Sequence, residues 1–572
     1  MGDSGAIGVA TPEGRRAGQH DRYALLLAAG PCSLVALGAY LATLAPSVSA
    51  LPDVSDSGEL AAAAYTFGVA HPTGYPLYML LGGAVSHLPL GEPAHALNMF
   101  SALCAALAVA GVAALCLAVA GPDGTAATPD PGARPPSGGA RPGGAVTTAG
   151  RPRRLGGIVG GGAAGLLFGA QPSLWLQATN TETRTLAAAL LTASLLALTR
   201  GLTALDQRLL LGASVLAGLA LADHPMCLAL LPALAAGLLF GPLDSGGAGR
   251  RQRGWPIARC LLALCPGLLL YLYLPLRAAA GPALNWGDPR TPARFLWMVT
   301  GAQYRPLMGL ALADLPAALA GRLGALAADL GAPTLIAGCV GLLWLARRRP
   351  HVALVWALVL ATGLGQSALY GAAAAPQYLI PCQIVLAALA GCVVSAAVAA
   401  SVAQWARVGL SLGAVLIVLA TLGYQVTRWS AAPPEEGQQT VRTTLATLRD
   451  LPRDSILFAT GDEDTFPLWY AQFALRVRLD VAVVNLNLLA WQWYAGHLRA
   501  RYPMLRWGTT AAWTDADGDL TLAGGAGRAL ARQQALVQAN LRRVAIYWTG
   551  PGVVSNVCGV EEQGNLYRCV PL

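Results

Sequence analysis

The residues Asp56-Ser57-Gly58-Glu59, followed a dozen positions later by His71-Pro72-Thr73-Gly74-Tyr75-Pro76, come directly after the first strongly hydrophobic segment of the chain. Two carboxylates and an imidazole therefore fall where a membrane-embedded chain meets water. Ionisable groups at that border are costly to desolvate, which makes them functional candidates. Asp56 and Glu59 are spaced i,i+3 and share a face if the segment is helical. Such a carboxylate, with a second acid and a histidine near it, is suited to take a proton from a hydroxyl. Each residue also has an ordinary structural use. Asp56 suits a helix N-cap, Glu59 a first-turn acid at the positive end of the dipole, and His71 and Tyr75 a packed loop turned by Pro72 and Pro76.

The elements that must position these groups are membrane spans. The chain has 572 residues, of which 55% are hydrophobic and 12% charged, and its mean hydropathy is +0.51. This composition describes a multi-spanning membrane protein and excludes a soluble one. The formal net charge of +9 comes from arginines, since the chain has no lysine, and they fall largely in short loops between apolar runs. That is a topology signal and does not point to nucleic acid.

Residues 1–22 carry Arg15, Arg16 and Arg22 ahead of an apolar run from 23 to about 44, which predicts a cytoplasmic N-terminus and an uncleaved anchor. Further spans are expected at 96–120, 156–171, 183–199, 209–222, 226–241, 257–276, 326–345, 351–371, 379–400 and 408–427, about eleven in all. Alternate loops carry Arg151, Arg153 and Arg154; Arg200 and Arg208; Arg250, Arg251 and Arg253; Arg347 to Arg349; and Arg407, as the positive-inside rule requires. The segment 121–155, rich in Gly, Pro, Ala and Thr, reads as a disordered cytoplasmic linker within a membrane domain spanning 23–427.

The remaining loops fall on the opposite side. They hold the first long loop at 51–95, Gln171 to Glu182, Asp223-His224-Pro225, Arg277 to about Arg322, and Gln377 to Pro381. Sharing one side, they can line a single extracytoplasmic cavity. Asp223 and His224 suit that cavity or a capped hairpin before Pro225, and Trp286 suits that cavity or an interfacial anchor, with Asp288 beside it as a hydrogen-bonding group.

From 428 to 572 the hydropathy falls and the pattern becomes soluble α/β, predicting an extracytoplasmic domain. Strands are expected at Ile456–Thr460, Val481–Leu486 and Val544–Trp548, with helices at Phe466–Ala474 and Trp491–Arg501. Asp462, Glu463 and Asp464 end the first strand and suit a strand-to-helix turn capped at Thr465 better than a Ca²⁺ or acceptor site. Nine of the eleven cysteines lie in or beside apolar stretches; Cys558 and Cys569 sit in the polar tail and can pair in an oxidising compartment.

Four segments in order carry a family likeness. Asp56-Ser57-Gly58-Glu59-Leu60 with Ala70-His71-Pro72-Thr73-Gly74-Tyr75-Pro76-Leu77 resembles the opening motif of membrane glycosyltransferases of the GT-C class, whose eukaryotic members are protein O-mannosyltransferases. Asp223-His224-Pro225, Asn285-Trp286-Gly287-Asp288-Pro289 continuing through Gly301-Ala302-Gln303-Tyr304-Arg305, and Gly461 to Tyr470 look like the same family, and the acidic cluster at 462–464 resembles bacterial members in particular.

The resemblance implies transfer of a sugar, mannose or another hexose, from a polyprenyl-phosphate donor to an extracytoplasmic hydroxyl of a protein or glycan. It implies a multi-pass protein of the inner (plasma) membrane in contact with lipid and not with nucleic acid. It places the catalytic carboxylate at Asp56, supported by Glu59. His71, Tyr75, Asp223, His224, Trp286, Asp288, Tyr304 and Arg305 are the expected substrate-site residues. For the lipid phosphate, the arginines at 184, 277, 290, 294 and 305 are on the expected side, and Arg277 ranks first because it ends a span against the positive-inside trend. The resemblance fixes no cofactor; dependence on a divalent metal stays open, as an Asp/Glu pair with one histidine supplies few ligands. The competing function is a polytopic transporter or flippase for a lipid-linked or polar substrate.

Overall fold

The structure, a computed structural model, describes residues 12–120, 150–241, 250–309, 313–371, 375–401, 433–507, 525–550 and 557–571, with isolated positions between them. Six of the described helices are long and apolar enough to cross a membrane: Tyr23–Ala42, Pro93–Ala120, Arg184–Ala204, Ile257–Ala279, Pro350–Leu369 and Pro376–Ala400. They correspond to expected spans, and Pro93–Ala120 and Pro376–Ala400 are largely buried by their neighbours.

The expected count of about eleven is not reached among the described residues. The expected span at 326–345 is two helices, Leu315–Leu330 and Ala332–Arg348, bent by 109°. Gly331 supplies the bend at φ 79°, which a side chain would resist, and Pro333 starts the second helix. The expected spans at 209–222 and 226–241 are apolar helical elements of about the expected length, Gln207–Leu221 and a 3-10 turn Pro225–Ala229 leading into Leu230–Phe240, each shorter than the six spanning helices. The expected span 408–427 and most of the expected linker lie outside the described residues, while the last six linker positions open the Gly150–Gly169 helix.

The C-terminal part is a small α/β domain. Its strands are β1 (Ile456–Ala459), β2 (Ala482–Asn485), β3 (Ile546–Trp548), β4 (Gly559–Gln563) and β5 (Leu566–Val570), in the order β2-β1-β3-β5-β4. β1 pairs parallel with β2 and β3, and all three are buried throughout, as expected of apolar central strands covered by helices. The antiparallel β4–β5 hairpin was not foreseen; Cys558 and Cys569 close it as a disulfide with Cα atoms 5.7 Å apart.

This domain docks onto the loops that carry the candidate residues. Tyr470 accepts from the Ala94 amide at 3.2 Å, and His497 Nε2 donates to the Ala283 carbonyl at 3.0 Å. Burial pushes His497 down to about 4, so the imidazole stays neutral there. Residues of both parts, among them Trp286, Trp469 and Trp493, share one core.

Candidate active site

Asp56 precedes the short helix Ser57–Tyr65, whose first residues are buried. Its side chain makes no capping hydrogen bond, so the N-cap use open to it in the sequence is not taken up. The loop before it is pinned instead by Ser57, whose hydroxyl donates to the Ser49 carbonyl at 3.0 Å and accepts from the Ser49 amide at 2.9 Å. Gly58 explains the close approach of the C-terminal domain: a Cβ there would lie 2.6 Å from the backbone carbon and oxygen of Phe466. The helix carrying Asp56 and Glu59 thus touches the Asp462–Phe473 helix backbone to backbone.

Glu59 is fully buried and binds His71 twice. Its carboxylate accepts from the His71 amide and from His71 Nδ1, each at 3.0 Å. Tyr75 lies 2.8 Å from His71 Nε2 and donates to the Pro72 carbonyl at 3.2 Å. The Tyr75 hydroxyl has one proton for these two partners: when it goes to Pro72, the Tyr75 oxygen accepts from Nε2 and both ring nitrogens of His71 donate. Burial opposes that charge, but Asp56 and Glu59 outweigh it and push His71 up to about 9. Burial pushes Glu59 up as well, and the contact with His71 works against it. Tyr75 is held at φ 43°, a left-handed backbone uncommon outside glycine and concentrated at functional sites.

Asp56 faces two cations without bonding tightly to either: His71 Nε2 at 3.9 Å and Arg184 at 4.0 Å. Its side chain is 29% exposed while that of Glu59 is 0%. Arg184 starts the Arg184–Ala204 helix, donates to Glu182 at 2.7 Å and Gln177 at 2.9 Å, and leaves its buried Nε without a hydrogen-bond partner among the described residues. Burial raises Glu182 to about 7, against the pull of Arg184.

Aromatic rings surround this cluster. Tyr75 stacks on His224 with centroids 5.8 Å apart, His224 approaches Tyr378 at 5.4 Å, and Tyr370 bridges Tyr378 at 5.3 Å to Tyr304 at 6.4 Å. His224 Nδ1 also accepts from the Met226 amide at 3.1 Å, so it caps the Pro225–Ala229 turn while lining the site. On the other side the Trp286 ring lies 6.0 Å from His71. A parallel bridge between Val69 and Asn285 fixes Trp286 there, and its Nε1 donates to Gln303 at 2.9 Å. Asp462, at the exposed start of the Asp462–Phe473 helix of the C-terminal domain, feels the charges of this cluster. Desolvation, then the charge of Asp56, raises it to about 6, with His71 opposing.

The structure brings together Asp56, Glu59, His71, Tyr75, His224, Trp286 and Tyr304. It sets others apart. Arg277 donates to the backbone carbonyls of Phe67 at 2.6 Å and Thr66 at 3.3 Å, closing the end of the Ser57–Tyr65 helix, and Arg184 is the guanidinium beside Asp56. Asp288 is held by Arg290, Arg294 and Asn285 in an ion cluster of its own. Asp223 is buried with neither oxygen hydrogen-bonded among the described residues, and Arg305 is exposed. The acidic turn is capped by Gly461, not Thr465, whose hydroxyl donates back to the Gly461 carbonyl at 2.6 Å. Glu182 and Tyr378 had no site signal in the sequence beyond lying in loops on the shared side, Tyr370 fell inside the expected span 351–371, and Asp462 was read as part of the acidic turn. Among the described residues no three His, Cys, Asp or Glu side chains are placed to hold a metal ion.

Residues 56–245 match the model of the protein O-mannosyl-transferase TMEM260 N-terminal domain, beginning at Asp56, and residues 440–503 match TMEM260-associated domain 2. ArnT from Cupriavidus metallidurans, in a crystal structure bound to undecaprenyl phosphate, superposes with a TM-score of 0.50 at 14% identity over 94% of this chain and 96% of that one. Over those two segments the chain is similar to the TMEM260 family, and its overall fold is that of ArnT. Locally it is 40% identical over 72 residues to the protein O-mannosyl-transferase tmem260 of Dictyostelium discoideum and 46% over 54 residues to that of Mus musculus. These segments cover 12% and 9% of this chain and only 9% and 8% of those relatives' own lengths.

Proposed function

We propose that the protein is an integral membrane glycosyltransferase that moves a hexose, such as mannose, from a polyprenyl-phosphate donor to an acceptor hydroxyl, in the first place of protein Ser or Thr. The observation that carries this reading is the state of Asp56: part-exposed and free of a capping bond, between a buried imidazole and a buried guanidinium. The names of the TMEM260 relatives support sugar transfer to protein, and the undecaprenyl phosphate bound to ArnT supports a polyprenyl-phosphate donor.

In the step, the acceptor oxygen forms a bond to the anomeric carbon as the bond from that carbon to the phosphate oxygen breaks. The electron pair leaves with the lipid phosphate, and the acceptor proton passes to Asp56. Displacement from the opposite face inverts the anomeric centre. Glu59 holds His71 in a doubly protonated, fixed orientation behind Asp56. Arg184, with a free donor, is placed to take the developing phosphate charge. Tyr75, Tyr304, Tyr370, Tyr378 and Trp286 supply the aromatic faces that a sugar packs against.

The N-terminus lies in the cytoplasm, the site and the C-terminal domain on the other side of a plasma membrane. A transporter would gather its polar groups near mid-membrane; here they meet where the loops join the C-terminal domain. The test is transfer from a radiolabelled polyprenyl-phosphate hexose to a Ser/Thr peptide by the purified protein. Absence of both peptide transfer and donor hydrolysis under conditions where the protein is folded would refute the proposal.

A further inference from the structure

An open cleft of about 720 Å³ lies beside this site and takes no part in the chemistry above. One wall is a threonine face of the Pro433–Asp450 helix, with Thr440, Thr443, Thr444 and Thr447 at helical spacing. Glu463 and Asp464 from the acidic turn stand opposite, and Thr549 after β3 closes one end with its hydroxyl donating to Asp464 at 2.6 Å.

Two features tie the cleft to Asp56. Ala50 lines it, and the next residue towards the N-terminus, Ser49, is bonded on both its backbone groups to Ser57, the neighbour of Asp56. Pro467 also lines it, one residue beyond the Phe466 backbone on which Gly58 rests. Glu463 and Asp464 of the turn 461–464 face the cleft, and Asp462 beside them feels the charge of Asp56.

The chemistry of the lining suits one kind of occupant. Threonine hydroxyls donate and accept, and so can follow the alternating amide and carbonyl groups of an extended backbone. Among the described residues no cationic side chain lines the cleft, and two carboxylates stand exposed along it. We propose that this cleft is the acceptor track of the enzyme, taking an extended polypeptide segment with a Lys or Arg flanking the Ser or Thr presented to Asp56. The proposal rests on the glycosyltransferase reading and adds to it the route and charge preference of the acceptor.

The test uses fluorescence anisotropy with the full-length detergent-purified protein and three synthetic Thr-containing peptides, whose flanking residue is Arg, Gln or Glu. The Arg peptide should bind roughly threefold to tenfold more tightly than the Glu peptide, with the gap narrowing as salt is raised. Glu463→Gln should shrink the preference, and Glu463→Lys should reverse it, an outcome that misfolding cannot imitate. Thr447→Trp, filling the cleft, should weaken all three peptides.

Equal binding of the three peptides, or a preference untouched by Glu463→Lys, overturns the proposal, as does competition by a neutral oligosaccharide as effective as the Arg peptide. Hydrolysis of the polyprenyl-phosphate donor by the wild-type protein separates the two levels. If hydrolysis occurs while peptide preference is absent, the track is wrong and the enzyme reading stands; if neither occurs, both fall.

Discussion

The Glu59–His71 pair gives the most closely specified prediction. Glu59 is fully buried and spends both oxygens on His71. Removing the imidazole by His71→Ala leaves the carboxylate with only the backbone amide, and breaking a buried pair from one side costs about 3–5 kcal/mol. The double change Glu59→Gln with His71→Ala removes the uncompensated charge, so it should be more stable than His71→Ala alone. The same pair carries a pH signature. His71 rises from its ordinary 6.5 to about 9 on folding, a gain on the order of 3 kcal/mol. Because the folded value is the higher one, this stabilisation is complete below about 6.5 and is lost as pH rises towards about 9. Thermal unfolding followed by tryptophan fluorescence in detergent, from pH 6 to pH 10, measures both effects. The midpoint should fall over that window in the wild type and stay flat in the double variant. A wild-type midpoint level across it, or a double variant no better than His71→Ala, would refute the pairing and the charge assigned to His71.

Three further outcomes follow from the packing and the site. Gly58→Val should undock the C-terminal domain, because its Cβ would meet Phe466 backbone that cannot rotate away; an overpacking cost of about 1–3 kcal/mol should appear as faster limited proteolysis between the membrane part and residue 456. Arg184→Gln should weaken use of the polyprenyl-phosphate donor in steady-state transfer assays, whereas Arg277→Gln, which removes bonds to Thr66 and Phe67, should lower thermal stability. Cys558 and Cys569 in protein taken from native membranes should resist maleimide until reduced, as expected of a domain on the oxidising side; labelling without reduction would place that domain on the other side.

The part of the site most legible in the sequence lies within one stretch of twenty residues, with His224, Trp286 and Tyr304 added from two later loops. Asp56, Glu59, His71 and Tyr75 stand out because charged and aromatic residues between prolines at a span border have few bland uses, and the family-like motif points to the same four. What sequence hides is which partner each group chooses. Arg184 and Arg277 both sit on the expected side of the membrane, and only the fold shows that one faces Asp56 while the other serves two backbone carbonyls. Asp462 reads locally as the start of a helix, which it is; its approach to Asp56 depends on a contact between Gly58 and Phe466, about four hundred positions apart. The α/β pattern of the tail was readable from short apolar runs of β-branched residues, but β4 is exposed along its length and carries no such signal. The bend at Gly331 was concealed because hydropathy continues across it.

The central claim is that Asp56 accepts the proton of the acceptor hydroxyl. Asp56→Asn keeps the size and the position of the side chain while removing its basicity, and the loss of general-base help should lower transfer from a polyprenyl-phosphate hexose by about 10²- to 10⁴-fold. Measured with purified protein whose thermal unfolding matches the wild type, that loss is the result expected. Transfer by Asp56→Asn at the wild-type rate would contradict the account.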